Sequence, residues 1–325
     1  MIPIHRRSLL AGSLAAALGA APIARAQGEW PKGPVKFVVP FPPGGSTDAV
    51  ARIIQAKMID TTGWNIIIDN KSGGTGAVGS AATAKSAPDG QTWMITFDSH
   101  ILNPAFAPGL PYKDSDLLNV MEIGRTPQVI AAHPERPYKT FAEAVTDARK
   151  RPGKVSMGVL GASQALIQMT LLKKENDVDL NLIPYKGGGP LSQDLLAGVI
   201  DIGMQSLTTF SPHIQAGKVR PIAVTSEKHT SALPDTSTLI EQGLKTFSTY
   251  SWWGVYAPTG VAQPVVDRMH AEITKAVRTA DVTQKFVEQF NMEILTSSPA
   301  DFAAYQKSEQ ERWFRVIKDN DIKGD

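Results

Sequence analysis

Short apolar runs alternate with helix-spaced patterns along this chain, and that alternation restricts the possible folds more than any other feature. The runs are Val35–Val39, Asn65–Asp69, Thr92–Thr96, Gln128–Ala132, Lys154–Val159, Asn181–Tyr185, Asp201–Gln205, Arg220–Thr225 and Trp252–Tyr256. Helical patterns start near Thr47, Ala77, Thr140, Ser163, Pro190, Leu207, Gln263 and Pro299. Strand–helix alternation predicts an α/β class with parallel sheets covered by helices. A chain of 325 residues has room for one or two domains with sizeable cores. In open α/β sheets ligands gather at the carboxyl ends of strands, so the strand-to-helix loops are where function is expected.

Several of those loops are rich in glycine and hydroxyl residues: Pro42–Asp48, Asn70–Gly79, Phe97–Asn103, Leu160–Gln164 and Lys186–Pro190. The first reads VPFPPGGSTDAVAR. Pro42 and Pro43 stop the strand. Gly44 and Gly45 allow close approach of the backbone. Ser46 or Thr47 can cap the helix that follows. A helix start offers free N–H groups and partial positive charge, so the stretch suits an anionic or polar group.

The remaining motifs are weaker. Gly74-Thr75-Gly76-Ala77-Val78-Gly79 matches G-x-G-x-x-G, with Asp98 downstream, but Asn70–Gly73 separate it from the strand where a dinucleotide site wants an immediate turn. Gly161-Ala162-Ser163-Gln164-Ala165 approaches a nucleophile elbow, with Asp194, Asp201, His213, His229 and His270 downstream. Ala165 replaces the last glycine, no HGGG-type loop precedes it, and a helix-capping Ser163 needs fewer assumptions. His100, in FDSHILNP, reads as ligand-facing or loop-bracing rather than metal-binding, because partner spacing for zinc is missing. Lys186 is the best basic candidate to face an anion. Asp48 falls in a first helical turn, where a carboxylate is favourable for structural reasons. Trp252 and Trp253 read as a buried strand or hinge, and Trp313 and Phe314 as core positions of a late amphipathic helix.

Net charge is +2, with lysine and arginine scattered, which gives no footprint for nucleic acid. Cysteine is absent, so disulfides, thiolate metal sites and cysteine nucleophiles are excluded. His5, Arg6 and Arg7 precede a small apolar stretch to Ile23, and Ala24-Arg25-Ala26 gives an A-x-A signal. This reads as a secretory signal peptide over 1–26, with the exported chain starting at Gln27. The Arg6-Arg7 pair fits either the general secretory or the twin-arginine route.

The segments VPFPPGGSTDAVAR, NKSGGTGAVGS, SHILNP, PYKGGGPLSQDLLAGVID, VRPIAVTSEKHTSALPDTSTLIEQGL and SWWGVYAPTG, in that order, resemble the Bug receptors. These are the periplasmic solute-binding components of tripartite tricarboxylate transporters. The resemblance implies a two-domain periplasmic binding protein of flytrap type, with a ligand cleft between the domains. It implies no catalysis and no cofactor, a small organic acid as ligand, the transporter's membrane subunits as partners, and a monomer. It places the ligand carboxylate on Phe41, Gly44, Gly45, Ser46, Thr47 and Asp48 and on Gly73, Gly74, Thr75 and Gly76, partly through ordered water. Ser99 and His100 join that side. Gly161, Ala162, Ser163 and Gln164, with Lys186, Gly187, Gly188 and Gly189, close from the other. Gln205-Ser206 and Gly188-Gly189 depart from the pairs usual in the family, on the side that reads the variable end of the ligand. The expected domains are 27–124 plus 246–295, and 125–245, with the 296–325 helix packing across onto the second. Outside that family, the residues leave an exported serine hydrolase using Ser163, or a ligand-reporting receptor for a sensor kinase.

Overall fold

A computed structural model of the protein describes residues 30–107, 109–246 and 248–322. The stretch read as a signal peptide lies outside them. The chain runs β1 (Val35–Val39), α1 (Ser46–Thr62), β2 (Ile66–Asn70), α2 (Ala77–Ala84), β3 (Thr92–Phe97), α3 (Asn103–Phe106) and β4 (Leu117–Ala132). It continues through α4 (Phe141–Lys150), β5 (Ser156–Leu160), α5 (Gln164–Glu175), β6 (Asn181–Tyr185), α6 (Gly188–Leu196), β7 (Ile202–Ser206), α7 (Leu207–Gln215) and β8 (Arg220–Val224). It ends with β9 (Tyr250–Pro258), α8 (Gln263–Val277), α9 (Ala280–Gln284), β10 (Glu293–Ile294) and α10 (Pro299–Asp319).

The strands hydrogen-bond in the order β2-β1-β3-β9-β4-β7-β5-β6, with β8 and β10 also on β4. The pairs β1–β2, β1–β3, β5–β6 and β5–β7 are parallel, as the alternation of strands and helices predicts. The pairs made by β4 and β9 are antiparallel, so the sheet is mixed. The reason lies in β4, which carries sixteen residues. Its residues Leu117–Pro127 pair with β9, while Gln128–Ala132 pair with β7 on one side and Val129–Ala132 with β8 on the other. One strand thus belongs to two halves of the sheet. The run Gln128–Ala132 is its regular end. The earlier part is hidden in the sequence by Pro127 and by register shifts near Met121 and Gly124.

Alternation along β4 feeds two core layers of the second half. Ile130 and Ala132 join Phe141, Met157 and Met204, while Val129 and Ala131 join Leu191, Leu195 and Phe210. In the first half, Val38, Met94, Trp252, Tyr256, Phe302 and Trp313 form one cluster. Helix α10 lies on that cluster, with Phe302 against Trp252 at 5.5 Å and Tyr256 at 5.3 Å. Only its far end reaches α5, where Ile317 and Ile322 join Ile167 and Leu171 and Lys174 Nζ donates to Asn320 Oδ1 at 3.2 Å.

The chain crosses between the halves at Arg125–Gln128 and at Thr225–Tyr250, and Asn291–Glu293 lies beside the first crossing. Thr225 ties the two crossings: its Oγ1 accepts from Gln128 N at 3.0 Å and donates to Thr249 O at 2.7 Å. Thr126 Oγ1 donates to Asn291 O at 2.8 Å, and Arg125 pairs with Glu293 at 2.7 Å, which ties in the segment beside them.

Candidate functional site

The loops that leave β1, β5 and β6 meet at one cleft. Two helix starts face each other there. Gly45 caps α1 and Gly187 caps α6, and neither supplies a side-chain cap bond. A Cβ on Gly45 would lie 3.8 Å from Gly188 N and 3.9 Å from Gly189 N. A helix start leaves its first N–H groups unsatisfied and carries partial positive charge. Two such ends at this distance repel each other unless something negative or strongly accepting lies between them. By contrast α4, α5, α7 and α10 start at Thr140, Ser163, Ser206 and Ser298, each of which accepts a hydrogen bond from its own first turn.

The β1–α1 loop is braced from behind. Asp48 accepts from Gly44 N at 3.2 Å, Arg52 Nε at 2.9 Å and Asn70 Nδ2 at 3.0 Å. Asn70 Nδ2 also donates to Phe41 O at 3.2 Å. Burial works against the Asp48 charge, but the bonds from Arg52, Asn70 and Gly44 outweigh it and hold the carboxyl below its ordinary value. Asp48 therefore shapes the loop and spends its oxygens inside it. The second glycine loop leans on the first. Gly73, Gly74, Thr75 and Gly76 all have positive φ, and a Cβ on Gly76 would stand 3.4 Å from the Phe41 ring. The G-x-G-x-x-G match is thus a turn beside Phe41, and Asp98, 1% exposed, is too enclosed to meet a ribose.

Across the cleft, Gly187 and Gly188 are dictated by close approach. A Cβ on Gly187 would come 2.9 Å from Pro42 Cδ, and one on Gly188 would come 2.4 Å from Gln205 Oε1. Gln205 Nε2 donates to Gly188 O at 2.9 Å and to Ser192 Oγ at 3.3 Å. Gly161 lies opposite Thr75, with 3.8 Å from its would-be Cβ to Thr75 Oγ1. Ala162 next to it holds a positive φ of 44°. A cavity of about 20 Å³ is lined by Phe41, Gly45, Ser46, Thr47, Phe97, Leu160, Gly188 and Gln205. Beside it, sharing Gly45 and Ser46, a cavity of about 520 Å³ runs out past Pro190, Thr209, His213 and Phe290.

Other expected residues stand elsewhere. Ser163 Oγ donates to Leu160 O at 2.6 Å and accepts from Leu166 N at 3.2 Å, which makes it a helix cap rather than a poised nucleophile. His229 is engaged by Pro234 O and Glu241, and His270 by Ser297 O. Ser206 caps α7 and meets Thr209 Oγ1 at 2.9 Å. His100 is 2% exposed, bonded to Ser80 Oγ at 3.1 Å and stacked on Tyr112. Burial holds its pKa down to about 4, so the ring is neutral and braces the loop from within. Ser99 and Gln164 are sealed at 0% and 1% exposure and do not line either cavity. Lys186 is exposed. Phe97 and Leu160 line the inner cavity without having been singled out. Each is the last residue of its strand, where the rule of strand carboxyl ends says to look, but an apolar residue there carries no signal of its own.

Residues 50–322 match the model of the tripartite tricarboxylate transporter family receptor. Protein BugT of Bordetella pertussis is 31% identical over 299 residues, 90% of this chain and 91% of that one. The structure of periplasmic binding protein BugD has a TM-score of 0.85 at 29% identity, covering 90% of this chain and 99% of that one. An R. palustris protein solved with adipate has a TM-score of 0.85 at 30% identity, covering 91% and 99%. The fold is that of the two-domain periplasmic binding proteins.

Proposed function

The chain belongs to the tripartite tricarboxylate transporter receptor family, and from that premise we propose that it captures a small organic carboxylate in the periplasm and delivers it to the membrane subunits of such a transporter, without catalysis. One observation carries the reading: the glycine-capped starts of α1 and α6 face each other across the cleft at Gly45 and Gly188. A carboxylate between them takes charge-assisted hydrogen bonds from backbone amides, which are short and strong. It also cancels the repulsion between the two helix ends. The adipate held by a relative of the same fold is a ligand of this chemical kind. Closure follows from the same geometry. The domains are the segment up to Gly124 together with 246–295, and the segment 125–245, swinging about the two crossings. Bringing α6 onto α1 buries the ligand and presents a different surface to the transporter. Export of the chain with cleavage after Ala26 puts it in the compartment this role requires.

The test is thermal unfolding against a panel of organic acids. At least one acid should raise Tm progressively with concentration. Ser163→Ala should cost about 1 kcal/mol as a lost helix cap and leave ester hydrolysis at the buffer rate. A panel with no concentration-dependent shift, or ester turnover that vanishes in Ser163→Ala, overturns the proposal.

A further inference from the structure

We infer that His213 reads the far end of the ligand: a second carboxylate held there makes the imidazole take up a proton, so a diacid binds with proton uptake and a monoacid does not. The inference rests on the carboxylate reading above and names the residue within that site that tells such acids apart. The inner cavity, about 20 Å³, has room for about one water, so an acid gripped between Gly45 and Gly188 must send its body outward. The way out is the cavity of about 520 Å³ that shares Gly45 and Ser46. Helix α7 marks its length. Thr209 stands at the grip, its Cγ2 3.6 Å from where a Cβ on Gly188 would lie. His213 is four residues further on, one turn or about 6 Å along the axis and on the same face.

Of the residues that line the outer cavity, His213 alone is ionisable. The hydroxyls there are engaged: Ser192 accepts from Gln205 Nε2, Thr208 donates to Phe290 O, and Thr209 meets Ser206. The His213 ring makes no hydrogen bond among the described residues. Burial and the charge of Lys218, in the turn after α7, hold its pKa below the ordinary histidine value, so the free protein presents a neutral ring at pH 7. The charged groups of the surrounding elements are committed elsewhere. On α1, Asp48 serves Gly44, Arg52 and Asn70, and on α6 Asp194 accepts from Tyr185. Before Phe290, Glu288 accepts from Gln284, and Lys285 lines a different cavity beside Lys57 and Asp281. A ligand carboxylate at the far end is then the opposite charge that the ring lacks, and such a charge within about 4–6 Å favours the protonated form. The affinity gained this way is complete below the pKa of the free ring and is lost as pH rises through the higher pKa of the complex. Gln193, on the same wall, is the neutral alternative reader, and it takes up no proton.

The experiment is calorimetric titration of the purified protein with matched pairs, adipate against hexanoate and glutarate against pentanoate, from pH 6 to pH 8.5. At pH 7 it is repeated in buffers of different ionisation heat. At least one diacid should weaken by about tenfold or more across that range while its monoacid changes by less than about twofold. At pH 7 the heat of diacid binding should vary with the buffer in the sense of proton uptake. His213→Gln should flatten the diacid's pH profile and remove its buffer dependence. Titration of Glu122, or of any group outside the cleft, acts on both members of a pair and survives in His213→Gln. A diacid as indifferent to pH as its monoacid, or a pH slope that persists in His213→Gln, overturns the inference and leaves carboxylate capture standing. So does binding of the monoacids alone. Silence from all four acids overturns the inference as well, and reaches the carboxylate reading only if the wider acid panel is also silent.

Discussion

Gly188 shows how much a single missing side chain can decide. It sits where a Cβ would come within 2.4 Å of Gln205 Oε1, and its own carbonyl receives the Gln205 amide. Gly188→Ala forces Gln205, 3% exposed, out of a packed position. The expected loss of stability is about 1–3 kcal/mol from overpacking. Gln205→Ala removes a buried hydrogen-bonding group and costs about 1–3 kcal/mol on its own. The double variant relieves the clash, so its loss should fall short of the sum by more than about 0.5 kcal/mol. Denaturant unfolding of the three variants measures the coupling, and strict additivity would mean that the contact does not matter. At this scale the sequence was partly legible. Glycine- and hydroxyl-rich loops announce themselves, and the capping role of Ser163 could be read from its place before a helical pattern. Phe97 and Leu160 could not, because an apolar residue at the end of an apolar run looks the same whether it faces core or ligand.

Among the elements, sequence periodicity found only the last third of β4 and missed the short α3, α9 and β10. The first eleven residues of β4 contain a proline, a glycine and two register shifts, which break the alternation that marks a strand. What makes it a strand is tertiary: β9 on one side, and α10 across its face. That packing has a cost at Glu122, which is 4% exposed with Oε1 unpartnered by protein. Burial pushes its pKa up to about 7, with Arg125 opposing and Glu293 and Glu309 adding to the rise. The unfolded carboxyl ionises near its ordinary value, well below the folded one. Between those two values the unfolded chain has released a proton that the folded chain still holds. Stability therefore falls as pH rises from about 4.5 to about 7 and levels off above that. Glu122→Gln should raise stability at pH 8 by roughly 2 kcal/mol and make little difference at pH 4. Urea unfolding at both pH values checks it; an equal effect at the two would place the cost elsewhere than in the charge. The helix starts at Thr140, Ser163 and Pro299, by contrast, were legible because caps and prolines act locally.

For the whole molecule, the strand order fixes a timetable. The second half of the sheet, from Gln128 to Val224, is one unbroken stretch of chain. The first half is not, because β9 lies between β3 and β4 and is reached only at Tyr250. Closing the long loop from β3 to β9 is slower than pairing neighbours. In refolding followed by pulsed hydrogen exchange, the amides of Gly158 and Met204 should gain protection before those of Ile95 and Val255. Simultaneous or reversed protection would show that the strand order does not govern the sequence of events. During synthesis the same order leaves the facing edges of β3 and β4 unmated until residues 250–258 emerge, about three quarters of the way along the 325-residue chain. A nascent chain arranged like this stays unfinished, and so threadable, until about three quarters of it has been made.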